Sequence, residues 1–138
     1  MRQPFETPLR RIPTPKGDVL HAMKMDDPGF VGFGEAYFTH IECGETKGWK
    51  RHSAMTLNLV CPSGTVRVVV FDGTEVVLDS LISPDAEHTY KRITIPPGYW
   101  VAFSGIAPGH SLVLNLASLK HAPEEAETVA LATYPWPS

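Results

Sequence analysis

The chain has 138 residues, with 43% hydrophobic and 20% charged side chains and a net charge of −3. That length and composition fit one globular domain with a sizeable core and argue against disorder. The slightly acidic balance argues against a nucleic-acid or anionic-membrane partner, though a few local basic residues could still hold a small anion. The first stretch, residues 1–15, is proline-rich and reads as an N-terminal arm that could wander or pair with a neighbouring subunit's edge strand. It lacks the apolar core of a secretory signal, and no apolar run approaches the roughly 20 residues of a membrane span. Strands follow at 18–25, 34–42, 46–52, 55–61, 65–72, 75–81, 91–96, 99–105 and 111–118. They are rich in Val, Ile, Thr and aromatics and are separated by PSG, DG, PPG and APG turns. Residues 122–128, APEEAET, have room for one helical turn. Nine short strands without a helical repeat predict a single all-β domain over 1–138, a sandwich or barrel such as a jelly roll. Cys43 and Cys61 are too few for a disulfide framework, so two free thiols in a reduced, cytoplasmic protein are expected.

The stretch Lys47–Leu59, KGWKRHSAMTLNL, carries the chemistry. Strict alternation places Lys50, His52, Thr56 and Asn58 on one face and Trp49, Met55, Leu57 and Leu59 on the other. Residue order alone leaves open which face looks inward. If the polar one does, it forms a cluster in a barrel able to hold a ligand. A His-x-His pair followed by a glutamate would suit a metal. Here Lys50 and Thr56 stand at two of those positions, and neither ligates well, so no metal and no cofactor is expected. A histidine suits proton transfer near neutral pH, and Lys50 beside it could stabilise an enolate or hold a phosphate. Tyr37, in the preceding strand, is a candidate proton donor. Asn115 falls opposite the Leu112/Leu114/Leu116 face, where it meets either a cavity or the surface. His110 and His121 read as loop residues, and His21, His40 and His88 follow no pattern.

Residues 34–127 carry a further signal. The segment from Gly34 to Asp72, then ITIPPGYWVAF and LNLASLKHAPEE, resembles the cupins of nucleotide-sugar metabolism. These are the dTDP-4-dehydrorhamnose 3,5-epimerases and the dTDP-sugar 3,4-ketoisomerases, and the likeness is to a divergent epimerase-like branch. The resemblance implies a double-stranded β-helix (jelly-roll cupin), a homodimer with exchanged N-terminal strands, and a metal-independent site for a dTDP-4-keto-6-deoxy sugar in surface polysaccharide biosynthesis. In such a site a histidine base removes the proton beside the ketone. The epimerases read Arg-Gly-Leu-His where this chain reads Lys47-Gly48-Trp49-Lys50, so their catalytic histidine maps onto Lys50. The ketoisomerases' second histidine maps onto His52, and their active-site tyrosine onto Tyr37. The carboxylate partner of the histidine has no evident counterpart. The expected roles are therefore His52 as base, Tyr37 as acid, Lys50 as enolate or phosphate contact, and Arg51, Asn58 and Asn115 as substrate contacts. The alternative is a cupin that binds a sugar or nucleotide sugar and has lost the chemistry.

Overall fold

The computed structural model describes residues 2–86 and 88–138. Twelve strands lie in the order β1 (Phe5–Pro8), β2 (Arg11–Ile12), β3 (Val19–Leu20), β4 (Glu35–Glu42), β5 (Thr46–His52), β6 (Leu57–Ser63), β7 (Val66–Phe71), β8 (Val76–Ile82), β9 (Lys91–Ile95), β10 (Trp100–Gly105), β11 (His110–Ala117) and β12 (Ala126–Thr128). Two five-stranded antiparallel sheets result, ordered β1-β9-β6-β11-β4 and β12-β5-β10-β7-β8, beside a small β2-β3 ribbon. From β4 to β11 the chain passes from sheet to sheet at almost every connection, with only the β7–β8 hairpin staying within one. That is the jelly-roll path. Among the described residues no helix is long and apolar enough to cross a membrane.

The core lies between the two sheets. Leu57, Leu59 and Cys61 of β6, Val66, Val68 and Val70 of β7, and Ile93 and Ile95 of β9 alternate inward and are almost fully buried. Their spacing of two is the period that the pleat requires. Burial also pushes the Cys61 thiol up to about 11, so this sulfur sits in the core as an unreactive apolar group.

Three expectations change. The proline-rich arm is in part a strand of its own chain's sheet, because β1 pairs with β9 in the register Phe5↔Thr94. The strand expected at 18–25 shrinks to Val19–Leu20. Beyond it the backbone finds partners in side chains instead of a ladder: Tyr90 Oη donates to the His21 carbonyl, and the fully buried Arg92 donates to the carbonyls of Ala22 and Pro28, each at 2.7 Å. His110 opens β11 instead of sitting in a loop, and its ring stacks on His40 with centroids 4.4 Å apart.

A second apolar cluster covers the outer face of the β5 sheet. Trp49, Val69, Phe71, Trp100 and Ala102 are buried there beneath Val129, Leu131, Tyr134 and Trp136 of the C-terminal segment. Trp49 Nε1 donates to the Leu131 carbonyl at 3.0 Å. A polar partner for the indole N–H is what a fully buried tryptophan needs. Tyr134 packs against Phe71 and Trp100 at 4.9 and 5.2 Å between centroids.

Candidate active site

A cavity of about 430 Å³ opens between the sheets, walled by β4 on one side and β5 on the other. Its walls are Leu57, Leu59, Val101, Phe103 and Val113, and its polar groups are Tyr37, Thr39, Lys47, Lys50, His52, Asn115 and Thr128. A mostly apolar cavity with a few convergent polar groups is the usual form of a small-ligand site. Both of its charged side chains are lysines, so the cavity is positive within a chain of net charge −3.

Alternation within one strand places Lys50 and His52 together in the cavity, as expected. It fails beyond His52. Residues 53–56 carry the chain from the end of β5 into the other sheet, and the face parity changes in the crossing. Leu57 and Leu59 therefore share the cavity with His52, while Asn58 points out of it. The Asn58 side chain donates to the Gly29 carbonyl at 3.1 Å and accepts from Thr94 Oγ1 at 2.6 Å. It ties the covering segment to the outer face of its sheet, outside the cavity. Thr56 is buried, and its backbone N–H donates to Ser118 Oγ at 2.8 Å. Trp49 likewise leaves its expected group: it faces the outer cluster, whereas Met55, Leu57 and Leu59 lie in the inner core.

Arg51 also points away from the cavity. Its guanidinium lies 4.6 Å from the Trp100 ring and pairs with Glu127, the residue opposite it on β12. Arg51 thus clamps β5 to β12 at the surface.

Lys47 reaches the cavity by a bulge. Lys50 opposes Val101 and Lys47 opposes Phe103, so Gly48 and Trp49 together face the single residue Ala102. Such a bulge shifts the side-chain alternation by one. Lys47 would otherwise share the outer face with Trp49 and Arg51. A Cβ at Gly48 would sit 3.1 Å from the Leu131 nitrogen, so a larger residue here would press on the C-terminal segment.

The residue that sequence reasoning missed is Glu125, in the single helical turn Pro123–Glu125. Its Oε1 lies 2.7 Å from His52 Nδ1, and its Oε2 accepts the backbone N–H groups of Ala54 and Met55 at 3.0 and 2.8 Å. Burial pushes this carboxyl up, but the His52 hydrogen bond, the two N–H donors and the His52 charge together hold it below the usual glutamate range. An ionised carboxylate only accepts, so Nδ1 carries the imidazole proton. In the neutral imidazole Nε2 is then the basic lone pair, on a ring that lines the cavity. The glutamates at 124, 125 and 127 look alike in sequence, and only the 73-residue closure selects the middle one.

The far end of His52 is fixed too. Its carbonyl accepts the Gly98 N–H at 2.8 Å from the Pro96-Pro97-Gly98 turn, where Gly98 takes a φ of 96°. That left-handed geometry favours glycine. Among the described residues no three His, Cys, Asp or Glu side chains gather as a metal ligand set.

Glu125→Gln should cut activity by about 10²–10⁴-fold, because an amide turned toward Nδ1 favours the wrong imidazole tautomer. It should also destabilise the fold at neutral pH. The native carboxylate binds its proton less readily than the unfolded one, so its stabilisation is complete above the ordinary glutamate value of about 4.3 and fades as pH falls through the lower native value. Urea unfolding of the two proteins from pH 7 down to pH 3 should show the stability gap closing on the acid side.

Fold and site together define a jelly-roll cupin whose barrel carries a histidine–carboxylate pair beside two lysines. No protein-family model matches the chain, and no curated protein does. Among solved structures, the chain is similar to a dTDP sugar isomerase from Desulfovibrio desulfuricans G20, with 32% identity over 94% of this chain and 85% of the other and a TM-score of 0.85. The chain belongs to the dTDP-sugar epimerase and isomerase family of cupins. Two more distant structures share the fold. The Campylobacter jejuni TDP-quinovose 3,4-ketoisomerase has 15% identity over 94% and 95% of the two chains, with a TM-score of 0.76. The Mycobacterium tuberculosis RmlC epimerase has 18% identity over 91% and 68%, with a TM-score of 0.75.

Proposed function

We propose that this chain is a nucleotide-sugar isomerase or epimerase that abstracts the proton beside the ketone of a dTDP-4-keto-6-deoxy sugar. The observation that carries the reading is the His52–Glu125 pair, whose free imidazole nitrogen belongs to a positive, mostly apolar cavity. His52 Nε2 takes the proton from the carbon, so a C–H bond breaks and an N–H bond forms. Glu125 balances the imidazolium. Lys50 and Lys47 supply positive charge to the enolate oxygen and the diphosphate. Tyr37 returns a proton to carbon and becomes a phenolate, and solvent then restores both groups. The lysine at the epimerases' histidine position favours proton abstraction by the second histidine, as in a 3,4-ketoisomerase.

The test is solvent exchange. Incubation with a dTDP-4-keto-6-deoxy sugar in D₂O should place deuterium on a carbon next to the ketone, read by mass spectrometry and NMR. Product analysis would separate ketoisomerisation from epimerisation. Thermal stabilisation by the nucleotide sugar with no exchange would instead identify a binding cupin.

A further inference from the structure

Asn115 lies on the inward face of β11, directly opposite Tyr37 of β4, and is 3% exposed. A buried amide is costly unless its polar atoms are paired. Here both are. Oδ1 accepts the Asn58 backbone N–H at 3.1 Å, and Nδ2 donates to Tyr37 Oη at 3.0 Å. The backbone N–H can only donate, so it settles which end of the amide is oxygen. The opposite end then has only protons to offer. Tyr37 Oη is therefore the acceptor in this pair, and its own proton is directed away from Asn115. Tyr37 lines the cavity and is 40% exposed, so the hydroxyl has open space to donate into.

We propose that Asn115 is a positioning residue that holds Tyr37 as a proton donor to the bound sugar. This rests on the reading of Tyr37 as the acid, and it replaces the substrate contact expected for Asn115. The amide acts twice. Before transfer it occupies the phenolic lone pair and leaves the O–H free. After transfer, when the O–H bond has broken and a C–H bond has formed, it donates to the phenolate.

Asn115→Asp tests this at nearly constant shape. One oxygen of the introduced carboxylate keeps the Asn58 N–H, while the other has no proton to give. Tyr37 must then turn its O–H toward the wall. Infrared spectroscopy with ring-labelled tyrosine, using Tyr37→Phe for subtraction, reads the phenolic C–O stretch, which differs between an accepting and a donating hydroxyl. The wild-type band should be that of an acceptor from protein, and the variant band that of a donor to carboxylate. With the keto sugar, net product formation should fall about 10–100-fold. Deuterium exchange driven by His52 should stay within a few-fold, KM should hardly move, and lowering the pH should partly restore the variant as its carboxyl regains a proton. A donor-type band in the wild type would overturn the proposal, whether or not the variant folds. So would a rise in KM with an unchanged band, which would mark a substrate contact. If the wild type shows no exchange at all, the proposed reaction fails, yet the infrared result still decides the direction of the hydrogen bond.

Discussion

Replacing His52 by alanine is expected to lower solvent deuterium exchange by about 10²–10⁴-fold, the usual contribution of a positioned general base. The histidine is 6% exposed, its Nδ1 is occupied by Glu125, and no other described side chain lining the cavity is an imidazole or a carboxylate. Nucleotide binding should survive, because the lysines and the apolar walls are untouched. The fold should survive as well, since Glu125 keeps two backbone donors at 2.8 and 3.0 Å after the imidazole is gone. The measurement is therefore a pair: exchange rate, and thermal stabilisation by dTDP. Exchange within a few-fold of wild type would remove His52 as the base. Loss of dTDP binding would show that the histidine holds the ligand instead.

The largest expected effect on stability comes from Trp49→Ala, at about 3–5 kcal/mol. Trp49 is fully buried and packs at 6.0–6.2 Å between centroids against Phe71, Tyr134 and Trp136. Its removal leaves a hole beneath the C-terminal segment and an unmet Leu131 carbonyl. Trp49→Phe keeps much of the volume and loses only the N–H donor, so a smaller cost of about 1–2 kcal/mol is expected. Urea unfolding of both variants measures the difference. A cost below about 1 kcal/mol for the alanine variant would mean that the segment 129–136 contributes little to the fold. Activity should fall in the folded fraction too, because Trp49 lies in the bulge that turns Lys47 into the cavity, and the covering segment continues from the strand that follows Glu125.

The two effects trace the limits of reading a chain in one dimension. Strand 46–52 agrees residue for residue with the composition and turn signals, and so does the shared face of Lys50 and His52. Within a single unbroken strand, alternation is a local steric fact, and it survives folding. Asn115 could be singled out by the same rule and Tyr37 by the family resemblance, and the structure pairs them across β4 and β11. The rule failed where the strand was broken or bulged. The crossing at residues 53–56 moved Thr56 and Asn58 out of the cavity and brought Leu57 and Leu59 in. The bulge at Gly48–Trp49 brought in Lys47, while Arg51 followed the outward face to Trp100 and Glu127.

What the chain's own residues determined was an all-β domain, the place of its longer strands from β4 to β11, and a histidine and a lysine side by side on one strand face. Only the tertiary structure decided which groups complete the site. Glu125 meets His52 because β12 closes onto the edge of β5, 73 residues later. No local spacing encodes that contact. It depends on how two distant segments share a sheet edge, and burial of the aromatic cluster beneath the C-terminal segment helps hold them there.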